Sequence, residues 1–225
     1  MFIGHFAAAF AATRYAPRLS LGTAFVAAQF LDLLWPTLLL LGVERVRIAP
    51  GHSAVTPLAF EHYPWSHSLL AACGWGLLLG AVCLLGRRGL RASLMVGLLV
   101  VSHWVLDAIV HVPDLPLVPG GSAHIGLGLW QSAAGTLLLE GALFVAGLAV
   151  YLRTTRAVDR TGRWALAGLV TLLVVIYLAN LFGPPPDNVA AIAWVGQAQW
   201  LLVVWAYWVD AHRTAHATRR LGATA

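Results

Sequence analysis

The sequence predicts an all-α fold, a polytopic transmembrane helical bundle, from three observations. Of its 225 residues 60% are hydrophobic and 10% are charged, against roughly 25% charged in soluble domains, and the mean hydropathy is +0.78. Six apolar runs, roughly 20–43, 65–86, 92–112, 128–151, 164–182 and 189–209, have a length that fits membrane spans, which need about 20 residues each. The basic residues are 14 arginines and no lysine, and they gather in short clusters between those runs.

A shorter hydrophobic helix is expected at the N-terminus, about residues 2–13. Its length suits a tilted span completed by Tyr15 and Pro17, a re-entrant piece, or an interfacial helix. No cleavable leader is expected, because the charge in "MFIGHFAAAFAATRYAPR" follows the apolar run. The first long run carries Asp32 just before an expected kink at Pro36. The second opens on "EHYPWSHSLL", with Ser66 as the expected N-cap. The third ends at Pro113, the fourth carries Glu140 midway, and the last two flank the stiff turn "GPPPDN". Linkers fall at "RRGLR", "RTTRAVDRTGR" and the glycine/proline stretch 113–126. The whole chain, 1–225, reads as a single integral membrane domain. Its site-bearing half is about 1–115, further helices occupy about 128–210, and a tail covers 211–225.

Arginine placement orients the bundle. Twelve arginines fall on one side of alternating spans, the connections 113–127 and 183–188 have none, and Arg45 and Arg47 are the exceptions. The positive-inside rule puts the arginine clusters and the tail in the cytoplasm. Trp65, Trp130, Trp164 and Trp208 fall near expected span ends, as an aromatic belt does. The net charge of +5 and pI near 9.9 do not indicate nucleic-acid binding, since these arginines mark topology rather than one phosphate-binding face. Cys73 and Cys83 read as small buried residues rather than a disulfide or zinc pair.

The ionisable residues within this greasy chain converge. His103, Asp107 and His111 recur every fourth residue and so share one helical stripe, about 6 Å apart per step. Asp114 stands at the exit of that helix. Glu61, His62 and His67 lie at the outer start of the second span, Asp32 and Glu140 are mid-span, and His5 joins them if the N-terminal run crosses. An ionisable residue inside a membrane needs a partner, a metal or a water-filled cavity. Imidazole with carboxylate is the ligand set of zinc, and also of iron or manganese, and the count allows one or two divalent ions. A helix-packing hydrogen-bond network is the metal-free alternative for the stripe. Glu61 or Glu140, with His62, is the expected catalytic acid or base. Glu140 is expected as a proton relay, a support for a ligating histidine, or a neutral buried acid. His124, and His212 with His216, read as surface residues.

At these residues the chain resembles the membrane-bound, metal-dependent hydrolases of the bacterial inner membrane, the LexA-regulated YdjM-like family. The likeness rests on Gly4-His5, on Asp32 closing an apolar helix, on "SHSLL" (66–70) and on "SHWVLDA" (102–108). By that resemblance His5, Asp32, His67, His103 and Asp107 are metal ligands; the residue pattern itself adds His111 and Asp114 as further ligands or shuttles. The chain departs from the family at Leu33-Leu34, where a second acid and a proline are common, and at Tyr63-Pro64-Trp65, where arginine-glycine is common. The resemblance implies a metal-activated water that cleaves an ester, phosphoester or amide of a lipid-like or amphipathic substrate among membrane lipids, on the extracytoplasmic side. The alternatives are a divalent-cation or proton transporter using the same residues, and a scaffold whose polar cluster only specifies packing. The sequence leaves the oligomeric state open.

Overall fold

In a computed structural model residues 1–215 are described; His216, Arg219 and Arg220 of the expected tail lie outside them. Helix α1 (Ile3–Tyr15) is followed by α2 (Leu21–Ala28) and α3 (Phe30–Leu40), which meet at a bend of 55°. A hairpin of β1 (Arg45–Ile48) and β2 (Leu58–His62) leads to a single turn, α4 (Pro64–His67). Then come α5 (Leu69–Leu85), α6 (Leu90–Val110), the short pair β3 (Leu115–Pro116) and β4 (His124–Ile125), and α7 (Ala133–Thr154). The chain closes with β5 (Thr155–Ala157), α8 (Arg160–Phe182), α9 (Val189–Gln197), α10 (Gln199–Ala211) and β6 (Arg213–Ala215), which pairs with β5.

The helical class holds, and the span count changes. Among the described residues four helices are long and apolar enough to cross a membrane: α6, α7, α8 and the continuous stretch Val189–Ala211. The bent pair α2–α3 makes a fifth if taken as one span. The second run, expected over 65–86, splits, because Ser68 adopts an extended backbone and accepts a hydrogen bond from Ala71 N. That leaves α5 with 17 residues, about 25 Å of rise. The N-cap of α5 is therefore Ser68, not Ser66. These apolar helices mark the chain as a membrane protein.

Helix α1 lies at the centre of the bundle. It is apolar on all sides, and a helix of that kind is stable only where every side is covered. Its residues from Ile3 to Thr13 are buried apart from the half-buried Ala8 and Ala11, which rules out the interfacial placement. Phe6 and Phe10 pack on Phe25 of α2, and Phe10 also meets Phe144 and Tyr151 of α7. Close approach needs glycine. A methyl at Gly147 of α7 would sit 2.3 Å from the Ala7 carbonyl oxygen, and one at Gly76 of α5 would sit 2.8 Å from the Gly97 carbonyl oxygen of α6. Small residues of this kind let membrane helices touch backbone to backbone.

The two ends differ in character. At one end the β1–β2 hairpin, α4, the β3–β4 pair and the 3-10 turn Leu129–Gln131 gather about the end of α6, with Phe60 and Trp130 packed on His111. Ala54 N donates to Trp130 O at 3.0 Å, tying the hairpin loop to that turn. At the other end Asp159 caps α8 through Gly162 N at 2.8 Å, and Asp210 accepts from Gly22 N at 2.9 Å at the start of α2. Of the belt tryptophans Trp65, Trp164 and Trp208 are exposed, whereas Trp130 is half-buried against His111. Cys73 and Cys83 are free and half-buried.

Candidate metal centre

Three elements deliver the cluster. His103 and Asp107 are one turn apart on α6, Asp32 lies in the first turn of α3, and His67 is the last residue of α4. Four donor atoms face one another: His67 Nε2, His103 Nε2, Asp32 Oδ1 and Asp107 Oδ2. His67 Nε2 is 3.4 Å from Asp32 Oδ1 and 3.8 Å from Asp107 Oδ2. His103 Nε2 is 3.7 Å from Asp32 Oδ1 and 3.2 Å from Asp107 Oδ2. The donor atoms of Asp32, His67 and His103 all lie within 4.8 Å of one another, as do those of His5, His103 and Asp107, so either trio could hold a metal ion.

The bend between α2 and α3 has a direct consequence for this site. The Ala28 carbonyl at the break takes His103 Nδ1 at 2.7 Å. A carbonyl only accepts, so Nδ1 carries the proton and Nε2 presents its lone pair to the carboxylates. That Nε2 is buried and has no aligned hydrogen-bond partner, even with Asp107 Oδ2 at 3.2 Å. Donor atoms that converge on a point rather than on each other give this pattern. Carboxylates in a low-dielectric bundle are costly to hold without cationic partners; the Met1 amino group meets one oxygen of Asp107, and a divalent cation would balance Asp32 and the remaining Asp107 oxygen. The donor set fits a divalent metal. The side chains of His67, His103 and Asp107 are at most 5% exposed and that of Asp32 is 23% exposed, so Asp32 marks the open side.

His5 reaches the cluster, in contact with the other face of Asp107. Its Nε2 is 3.1 Å from Asp107 Oδ1, and its ring stacks on His103 at 3.6 Å with 6° between planes. The Met1 amino group bonds the same oxygen. Glu140, buried on α7, accepts from Phe2 N at 2.8 Å and Gly4 N at 3.3 Å. Phe2 supplies no side-chain cap to α1, so Glu140 satisfies amides that a helix start leaves free. Its hydrogen bonds go to backbone amides at the start of α1 and to no histidine among the described residues, so Glu140 holds the helix that carries His5 instead of partnering a ligating imidazole.

The stripe on α6 does not extend to His111. The helix ends at Val110, His111 adopts an extended backbone, and its Nδ1 pairs with Asp114 Oδ1 at 2.9 Å. The Tyr63 hydroxyl donates to the same oxygen at 2.9 Å, and Trp130 covers the His111 ring at 4.2 Å. Burial holds the His111 imidazole below its ordinary pKa, and burial with the Asp114 charge pushes the Tyr63 phenol up. His111 and Asp114 thus form a separate set beside the cluster. Glu61 and His62 are not brought in either: both are exposed on the hairpin, with Glu61 Oε1 accepting from Arg47 Nε at 2.9 Å. His124 is exposed, and His212 Nδ1 meets Asp159 Oδ2 at 2.7 Å at the opposite end.

Glu44 is the residue that sequence reasoning missed. It is 1% exposed; its Oε1 accepts from Trp65 N at 2.8 Å and Ser66 N at 2.9 Å, and its Oε2 accepts the Ser66 hydroxyl at 2.6 Å. Ser66 Oγ lies 2.7 Å from His67 Nδ1. Placed between Val43 and Arg45 at a span end, Glu44 reads in sequence as a surface charge, and no spacing links it to His67. No protein-family model, curated protein or solved structure matches the chain.

Proposed function

We propose that this chain is a metal-dependent hydrolase of the bacterial inner membrane, holding one divalent transition-metal ion, zinc by its donor set, near the extracytoplasmic surface. The observation that carries the reading is the convergence of donor atoms from Asp32, His67 and His103, all within 4.8 Å of one another, a trio that leaves a position for water. The arginine clusters lie at the opposite end of the bundle from the cluster, which supports the orientation. The resemblance of "SHSLL" and "SHWVLDA" to the YdjM-like hydrolases supports the reaction class.

A divalent ion bound there supplies Lewis acidity and a water acidic enough to act as hydroxide near neutral pH. The chain's own residues do the rest. His67, His103, Asp32 and Asp107 hold the ion, and His5 fixes Asp107 through the oxygen that faces away from it. Asp32, on the open side, borders the approach of the scissile ester, phosphoester or amide, while the apolar remainder of a lipid-like substrate stays among the lipids. His111, its Nδ1 tied to Asp114, carries the proton in this reading, the part expected of Glu61 and His62. A conduit for cations fits less well, because Phe6, Phe10 and Phe25, each at most 1% exposed, pack tightly against one another in the bundle core that His5 adjoins.

Elemental analysis of protein purified without chelator tests the centre: one ion per chain is expected, falling to about a tenth or less in Asp107→Asn. Mixed micelles carrying a nitrophenyl phosphodiester, a nitrophenyl ester or a nitroanilide test the chemistry, with turnover lost in the same variant. Substoichiometric metal in the wild type rejects the whole reading. A full complement of metal with no turnover of any of the three rejects the hydrolase and keeps the centre.

A further inference from the structure

A carboxylate accepts hydrogen bonds and donates none. Glu44 has both oxygens occupied: two backbone amides at the start of α4 hold Oε1, and Ser66 Oγ stands 2.6 Å from Oε2. The single Ser66 hydroxyl proton is therefore given to Glu44. Only lone pairs remain on Ser66 Oγ, so at 2.7 Å from His67 Nδ1 it must accept. The imidazole proton then sits on Nδ1, and in the neutral ring Nε2 turns a lone pair toward Asp32 and Asp107. We propose that Glu44 and Ser66 are positioning residues that fix the tautomer of His67, making its Nε2 a metal-binding atom. This rests on the reading that the cluster holds a divalent ion.

The arrangement makes Glu44→Gln more than the loss of a charge. The two amides on Oε1 require an acceptor, so the glutamine oxygen takes that place and its NH2 group faces Ser66. The hydroxyl proton of Ser66 is released and donates to His67 Nδ1. The imidazole proton moves to Nε2, where it blocks the cluster. Removing the hydroxyl as well, in Glu44→Gln with Ser66→Ala, leaves nothing to donate to Nδ1 and frees Nε2 again.

The full chain, purified in detergent and stripped of metal, is titrated with Co(II) and followed by its visible absorption, with metal-free thermal unfolding as the check on folding. Glu44→Gln is expected to weaken Co(II) binding about 10–100-fold, the range for residues that orient a ligand. The double variant is expected to bind more tightly than Glu44→Gln alone, a non-additivity that simple loss of stability would not give. Affinity for Glu44→Gln within about threefold of wild type, or a double variant no tighter than the single, overturns the proposal. Should Glu44→Gln fail to fold, Ser66→Ala decides: weaker binding supports the proposal and unchanged binding overturns it. Wild-type protein that binds no Co(II) sinks the metal centre itself, whereas wild-type binding with unaffected variants sinks only the assignment of Glu44 and Ser66.

Discussion

The two oxygens of Asp107 face different partners, Oδ2 toward His67 and His103 and Oδ1 toward His5 and the Met1 amino group. This division lets His5 hold the Asp107 carboxylate, and His5 also forms with His103 and Asp107 a trio whose donor atoms could bind an ion. His5→Ala is accordingly expected to weaken Co(II) binding about tenfold while leaving one ion per chain, whereas His103→Ala abolishes binding. Equal losses in the two variants would make His5 a ligand. Sequence spacing singled out His103, Asp107 and His67, because ionisable groups in apolar runs stand out. It had no means of separating His111 from them. The fourth-residue rhythm continues through His111, but the helix stops one residue earlier, and the ring turns to Asp114, Tyr63 and Trp130 instead. Glu44 was illegible for the converse reason, since its burial comes from α4 folding over it and from nothing in its neighbours along the chain.

At the scale of elements, the cluster depends on how closely α1 and α7 approach. A methyl at Gly147 meets the Ala7 backbone, oxygen at 2.3 Å and Cα at 2.8 Å, neither of which is the end of a flexible side chain. Gly147→Ala is expected to displace α1, to cost about 1–3 kcal/mol as overpacked cores do, and to weaken Co(II) binding through the loss of the His5 and Glu140 contacts. Gly141→Ala on the same helix meets nothing within 4 Å and serves as the control, neutral or slightly stabilising because alanine favours the helix. Thermal unfolding and Co(II) titration of both variants check this, and equal behaviour would sink it. The break at Gln29 shows the other side of element-level control. It shortens a run that reads as one span into α2 and α3, and the Ala28 carbonyl at that break is what orients His103.

At the scale of the whole molecule, the bundle has an arginine end and a cluster end. In a chain with Cys73 and Cys83 replaced by alanine, a cysteine at exposed His52 is expected to react with a membrane-impermeant maleimide in intact cells. A cysteine at exposed Arg88 is expected to react only after the cells are opened; the reverse pattern would invert the orientation. The sequence by itself determined that the chain is a helical membrane bundle and which imidazoles and carboxylates needed partners, because hydropathy and burial cost are properties of residues one at a time. Only the tertiary structure decided that α1 is a buried central helix, that imidazoles and carboxylates from α1, α3, α4 and α6 come together, and that Glu44 stands behind His67. Those facts depend on distances between segments far apart in the chain, and such distances are set by glycine contacts, a bent span and one carboxylate reaching across 22 residues.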